Sequence, residues 1–337
     1  MQRLTIKSGD KFVLPTAPGA PEQVHVFSDN EIIAINTALA ARRALLIRGE
    51  PGTGKTQLAL AAAVALKRGF VSRVVDSRTE SRDLLWHFDA VARLADAQVH
   101  GALHPGAPAH GAPHREAAPV QDCKVSVHER LAIENFIHPR PLWWAFDWQG
   151  AEAQATHAGS AVPSKLPGCD PKNGVVVLID EIDKAEPDVP NGLLEALGTG
   201  EFTPQGMAAI TAKGVPPLVI VTTNEERTLP DAFVRRCLVL HLRLPEGRDD
   251  LVEFLVKRGA AHFPDVDEEI LKHAANLLWD DRDKARREHW PPYPGQAEFM
   301  DLIRAVRGLA PGKPKSQKAE LDRIAAFALR KNPGASP

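Results

Sequence analysis

The sequence predicts an α/β fold, a doubly wound αβα sandwich followed by an all-helical unit. Three observations carry that expectation. A short apolar run, Ala44-Leu45-Leu46-Ile47, feeds a glycine-rich loop, Gly49-Glu50-Pro51-Gly52-Thr53-Gly54-Lys55-Thr56, and the loop feeds a helix-forming stretch beginning at Gln57. Two further runs, Val175-Val176-Val177-Leu178-Ile179 and Leu218-Val219-Ile220-Val221, are continuously apolar, as strands buried on both faces of a parallel sheet are. After Pro245 the strand character stops, and residues 249–259, 267–285, 295–309 and 317–331 all read as helices.

Taken in order, residues 1–26 read as an irregular arm, because Pro15, Pro18, Gly19 and Pro21 crowd together. Residues 27–42 read as a helix, with Ser28 or Asp29 as its cap and Ile32, Ile33, Ile35 and Leu39 as apolar positions. A strand is expected over 71–75. A helix is expected over 80–97, where Leu84, Leu85, Phe88, Val91, Ala92 and Leu94 recur at helical spacing. Residues 99–122 are dense in Gly, Ala, Pro and His and read as a surface loop. His100, His104, His110 and His114 invite a metal site there, but no carboxylate-rich or thiol-rich motif accompanies them. A short helix over 128–136 leads to Pro139-Arg140-Pro141-Leu142-Trp143-Trp144-Ala145-Phe146, and a second irregular stretch fills 149–173. A helix over 189–197 tolerates Pro190 in its first turn, and 238–242 is the last strand. The organisation expected is an arm (1–26), an α/β core (27–245) with an insertion-rich region around 99–173, and a helical domain with its tail (246–337).

Composition narrows the function. At 44% hydrophobic and 25% charged the chain can build a sizeable core and a polar surface. A formal charge of −2 gives no general pull towards nucleic acid. Cys123, Cys169 and Cys237 have neither disulfide-framework nor zinc-site spacing. The first residues lack the apolar segment of a signal peptide, and no stretch is long and apolar enough to span a bilayer. A cytoplasmic location and no membrane partner are the expectations.

The chemistry is concentrated in a few places. Strand, glycine loop and helix in that order form the phosphate-binding P-loop context. Gly49, Pro51, Gly52, Thr53 and Gly54 shape a loop whose backbone N–H groups face phosphate oxygens, and the helix from Lys55, Thr56 and Gln57 adds its N-terminal field. Lys55 is positioned to reach the β- and γ-phosphates, and Thr56 to place its hydroxyl on magnesium. A glycine turn that binds nothing is the bland alternative, but Lys-Thr after the final glycine disfavours it. Asp180-Glu181, at the end of a buried strand, supplies the second half of such a site: Asp180 for the metal, mostly through water, and Glu181 as the base that polarises attacking water. Asn224 ends the next strand, where its amide can reach that water or a γ-phosphate oxygen, although asparagine is also a common strand-end turn residue. Arg235 and Arg236 can neutralise charge developing on transferring phosphate, or can be solvated surface arginines.

These motifs resemble those of the AAA+ ATPases, and most of all the MoxR-like branch. Gly49 to Thr56 matches Walker A, and Val176 to Glu181 matches Walker B. Asp180-Glu181-Ile182-Asp183-Lys184-Ala185 is similar to that branch's Asp-Glu-Ile-Asn-Arg-Ala, with Asp183 and Lys184 as departures. Asn224 falls on sensor 1. Residues 230–236 look like the approach to the arginine finger, with Arg236 the better match and Arg235 the alternative. The resemblance spans residues 27–310, most strongly to 245. It implies a P-loop NTPase core with a C-terminal helical lid, ATP and Mg2+ as ligands, and a ring-shaped homo-oligomer, commonly a hexamer, with an arginine supplied across each interface. It further implies chaperone-like remodelling of a client protein, in some cases one with a von Willebrand factor type A domain. Arg140 stands where the family has a glycine before Pro141, and Trp143 and Trp144 then face either the core or a partner. No arginine opens the helix at Gln296 as sensor 2 would require; Arg304 follows about two turns later. A nucleotide-binding assembly switch and a nucleic-acid motor are the rival functions. Glu181 disfavours the first, and the near-neutral charge disfavours the second.

Overall fold

The computed structural model describes residues 3–16, 22–103, 127–312 and 314–329. Most of the stretch expected as a surface loop, including His104, His110 and His114, lies outside the described residues, as does Cys123.

The described part of the N-terminal arm is not irregular throughout. β1 (Lys11–Leu14) and β2 (Gln23–Val26) form an antiparallel hairpin, with Lys11 opposite Val26 and Leu14 opposite Gln23. Pro15 follows β1 without interrupting it, while Leu14 and Val24 turn inward and are buried. The edge of the Phe12 ring meets Phe27 at 5.4 Å. α1 (Asp29–Ala41) starts with a capping box: the Glu31 N–H donates to Ser28 Oγ, and the Ser28 N–H donates to the Glu31 carboxylate at 2.6 Å.

β3 (Leu45–Arg48), α2 (Lys55–Leu66) and β4 (Gly69–Val74) follow as the sequence predicts. The next segment departs from it. Instead of one helix over 80–97, a 3-10 turn at Ser81–Leu84 leads to β5 (Trp86–Phe88) and only then to α3 (Ala90–Leu103). Asp89 divides them, because its carboxylate accepts the Ala92 N–H at 2.8 Å and caps α3. β5 pairs with β6 (Ile137–Pro139), a strand distant in sequence that helical spacing cannot reveal. α4 (Val127–Arg130) and a 3-10 turn at Ile133–Phe136 replace the single short helix expected over 128–136. α5 (Pro141–Phe146) is followed by α6 (Trp148–His157), which occupies a stretch expected to be irregular. There Asp147 supplies the cap, accepting the Gly150 N–H at 3.1 Å.

β7 (Val175–Asp180), α7 (Asp188–Thr199), the β8 (Glu201–Phe202) and β9 (Ile210–Thr211) ribbon, β10 (Leu218–Thr223), α8 (Asp231–Arg236) and β11 (Leu238–His241) complete the core. Five strands form an all-parallel sheet in the order β11-β3-β10-β7-β4. Successive side chains enter opposite layers. Leu45, Ile47, Val176, Leu178 and Ile220 pack with α1 and α2, whereas Leu46, Val177, Ile179, Val219 and Val221 pack with α5 and α7. The continuous apolar runs are therefore two interleaved core faces, and the architecture is an αβα sandwich. Thr223 lies opposite Arg48, and Val221 opposite Ile179, so the ends of β3, β10 and β7 reach one edge together.

α9 (Arg248–His262), α10 (Glu268–Arg287), α11 (Gln296–Leu309) and α12 (Pro314–Leu329) agree with the four expected helices to within a few residues. They enclose their own core around Leu251, Leu255, Leu278, Phe299 and Leu321. No helix among the described residues is long and apolar enough to cross a membrane.

Trp143 and Trp144 belong to the sheet's core. Trp143 is 1% exposed and meets Phe202 edge-on at 5.8 Å, while Trp144 meets Trp148 at 5.0 Å. Trp143→Ala should lower stability by about 3–5 kcal/mol. Trp143→Phe should cost much less, because the indole N–H has no hydrogen-bond partner to lose. Urea unfolding followed by circular dichroism measures both, and an unchanged midpoint for Trp143→Ala would contradict this placement.

Candidate functional site

β3 delivers the chain to the glycine loop at the carboxyl edge of the sheet. Gly49 has no room for a side chain: a Cβ there would lie 2.3 Å from the Leu242 carbonyl oxygen, where β11 ends. Gly52 and Gly54 hold positive φ angles of 76° and 91°, which glycine adopts without strain. Thr53 crimps the loop by donating its hydroxyl to the Glu50 carbonyl at 2.9 Å. α2 begins immediately, and Gly54 at its N-cap offers no side chain to the first N–H groups. Those donors and the helix field face the site. Leu58, Ala59, Ala61, Ala62 and Ala63 are fully buried, so α2 sits close on the sheet and fixes the loop's position.

Lys55 is 7% exposed, and its Nζ donates to the carbonyls of Gly49 at 2.6 Å and Glu50 at 2.9 Å. Burial lowers its pKa from the ordinary lysine value, while Asp180, Asp183, Glu181 and Glu225 oppose that shift. Thr56 donates its hydroxyl to Asp180 Oδ2 at 2.8 Å, joining α2 to the end of β7. The other Asp180 oxygen accepts the hydroxyl of Thr222, a fully buried residue of β10.

Glu181 follows with φ 60°, a left-handed conformation that costs a glutamate about 1–3 kcal/mol. The turn is held by its N–H, which donates to Thr222 Oγ1 at 3.0 Å. Its side chain is engaged on both sides: Asn224 Nδ2 donates to Oε1 at 3.4 Å, and Lys184 Nζ pairs with Oε2 at 2.7 Å. The hydrogen bond from Lys184 to Glu181 is the main cause that raises the lysine's pKa. Asp183 is 2% exposed and accepts the Glu226 N–H at 3.0 Å.

The residues converge on a cavity of about 380 Å3. Pro51, Gly52, Gly54, Lys55, Thr56, Gln57, Asp180, Glu181 and Asn224 line its core side, so nine of the residues singled out in the sequence meet there. Gly49 and Thr53 lie in the same loop and shape it from behind. The opposite wall comes from α11, whose Gln296, Ala297, Met300, Asp301 and Arg304 form one helical face. Arg304 pairs with Asp301 at 2.5 Å. Gln23 of β2 and His262 of α9 close the end, and Gln57 donates to Gln23 at 3.3 Å. Burial lowers the pKa of His262 to about 4, helped by Arg258, Arg304 and His25, so the ring is neutral at pH 7.

Sequence reasoning missed Thr222, Gln23 and His262, and set Arg304 aside. Only Thr222 carried a signal, as the first polar residue of Thr222-Thr223-Asn224 at the end of an apolar strand. Arg235 and Arg236 do not line this cavity. They sit exposed at the end of α8, where the Arg43 guanidinium donates to the carbonyls of Arg235, Arg236 and Cys237 and caps the helix. Burial pushes the neighbouring Cys237 thiol up to about 11. Among the described residues, no group of three or more His, Cys, Asp or Glu is arranged to hold a metal ion by itself.

No curated protein matches the chain. Among solved structures, a candidate ATPase from Cytophaga hutchinsonii is 13% identical, covering 90% of this chain and 80% of that one, with a TM-score of 0.35. A variant of RuvB from Thermotoga maritima is also 13% identical, covering 88% of this chain and 68% of that one, with a TM-score of 0.43. Residues 44–113 match the model of the AAA domain, dynein-related subfamily. The matched segment contains β3, the glycine loop and α2, which form part of the core side of the cavity.

Proposed function

We propose that the chain is a magnesium-dependent ATPase of the AAA+ type, MoxR-like in character, that couples hydrolysis to remodelling of a partner protein. The observation that carries this reading is the convergence of Lys55, Thr56, Asp180, Glu181 and Asn224 on one cavity beneath a helical face. An Asp-Glu pair without a P-loop, or a P-loop without an acid pair, would support far less.

The donor set fits magnesium. Thr56 and Asp180 offer adjacent oxygens, and Mg2+ takes oxygen ligands from one or two side chains while keeping several waters. Bound there, the ion neutralises charge on the β- and γ-phosphates. The backbone N–H groups at the start of α2 bind phosphate oxygens, and Lys55 adds a positive charge. Glu181 orients a water and takes its proton as the water oxygen attacks the γ-phosphorus. The bond from that phosphorus to the bridging oxygen breaks, and its electron pair leaves with ADP. Asn224 holds Glu181 on one side and faces the cavity on the other, as a γ-phosphate sensor requires. Thr222 fixes Asp180 and Glu181 relative to one another, so the metal-side and water-side acids move together.

Arg236, or Arg235, acts in a neighbouring subunit's site. Their exposure on α8, outside the cavity of their own chain, supports that role in a ring-shaped homo-oligomer, a hexamer on the MoxR-like reading. Arg304, on the helical wall, supplies a second cation near the phosphates. The protein client, with a von Willebrand factor type A domain protein as one candidate, follows from the MoxR-like reading, and the proposed location of this chain is cytoplasmic.

Glu181→Gln should cut ATP turnover by about 10²–10⁴-fold while retaining ATP binding, measured by phosphate release and by titration with a fluorescent nucleotide. Turnover equal to the unmodified protein would remove Glu181 from the mechanism. Arg236→Ala should also bind ATP and fail to hydrolyse it. Mixing it with Glu181→Gln subunits should restore turnover in composite sites, and no recovery in mixed assemblies would argue against action across an interface.

A further inference from the structure

Arg282 lies on α10 of the helical unit, yet its side chain is only 2% exposed and reaches the glycine loop. Its Nη2 donates to Glu50 Oε2 at 2.7 Å, and its Nη1 donates to the Pro294 carbonyl at 2.9 Å, just before α11. The guanidinium carbon lies 5.9 Å from the centre of the Tyr293 ring. A guanidinium this buried needs a compensating carboxylate, and Glu50 provides it. Glu50 is also tied to the phosphate-binding residues through its backbone, since its carbonyl accepts from Lys55 Nζ and from the Thr53 hydroxyl, each at 2.9 Å. A second contact lies on the other side of the loop. A Cβ on Gly52 would stand 2.8 Å from Ala297 Cβ, so α11 already rests against the loop backbone.

We propose that Arg282 is a positioning residue, and that its ion pair with Glu50 latches the helical unit to the glycine loop. The inference rests on the nucleotide site proposed above and adds a regulatory connection to it. The pair fixes α10 and, through Pro294, the start of α11. It thereby sets Gln296, Met300 and Arg304 at their distance from the loop. A change in loop conformation moves Glu50 and is felt by the helices, and a displacement of the helices is felt at the carbonyl that holds Lys55. Glu181, Asn224 and Thr222 sit at the ends of β7 and β10, bond to one another and to Asp180, and make no hydrogen bond to Arg282 or Glu50. Breaking the latch therefore loosens nucleotide retention without disabling the hydrolytic groups.

The test uses the whole chain with Glu50→Gln, Arg282→Met and the double variant. Fluorescent ATP analogue binding, ATP turnover against ATP concentration, and amide hydrogen exchange without nucleotide are measured on each. Each single variant should weaken binding about tenfold, and the double variant should be no weaker than the poorer single one. KM should rise while kcat changes little, a split that general destabilisation would not produce. Hydrogen exchange should quicken in the glycine loop and around Pro294 while β7 stays protected. Glu50→Gln keeps the experiment decisive if Arg282→Met folds poorly, because the Glu50 side chain is 43% exposed. Additive losses in the double variant, or unchanged exchange in the loop, would overturn the latch. Failure of the unmodified chain to bind ATP would instead refute the proposed function, and the exchange measurement would still decide whether the latch exists.

Discussion

The site depends on one carboxylate. Asp180 receives the Thr56 hydroxyl from α2 on one oxygen and the Thr222 hydroxyl from β10 on the other. Three elements of the core are therefore joined at the point where their strands and helix open onto the cavity. Thr222 does double duty, since it also accepts the Glu181 N–H and holds that residue in its left-handed turn. The two hydrogen bonds to the ionised Asp180 carboxylate are charge-assisted, about twice as strong as neutral ones. Placed at the end of the buried strand β7, Asp180 lets the rigidity of the sheet reach the chemical groups.

That rigidity comes from a simple sequence device. Continuous apolar runs supply two core faces at once, so the parallel strands can be covered by α1 and α2 on one side and by α5 and α7 on the other. Polar residues begin where the strands end, at Arg48, Asp180 and Thr222, and the parallel register aligns these ends. The helical unit has a separate core and adds a second wall, one made from a single helical face and joined to the loop by a buried ion pair.

The fold and half of the site were legible because they rest on local patterns. The glycine loop, the Asp180-Glu181 strand and the four C-terminal helices each declare themselves within a short window. What escaped was non-local. β5 is three residues long and depends on pairing with β6 on the far side of residues 104–126, so Leu84, Leu85 and Phe88 read as helix. The β1–β2 hairpin was hidden by prolines placed in its connection. Asp147 and Asp89 cap helices inside stretches whose composition suggested loop or continuous helix. Gln23, His262 and Arg282 reach the cavity or its loop only through tertiary packing, and no motif marks them. Trp143 and Trp144 had two readings in the sequence, and burial on the sheet selected the core.

The central claim is that the cavity beneath α11 binds and cleaves a nucleoside triphosphate with the aid of a divalent cation. Phosphate release from ATP by the 337-residue chain, followed with Mg2+ and with excess chelator, and repeated with Lys55→Ala, tests it most directly. The account predicts steady release with Mg2+, none with chelator, and none from Lys55→Ala, whose nucleotide binding should also be lost. Release that persists without a divalent cation, or that survives Lys55→Ala unchanged, would contradict it.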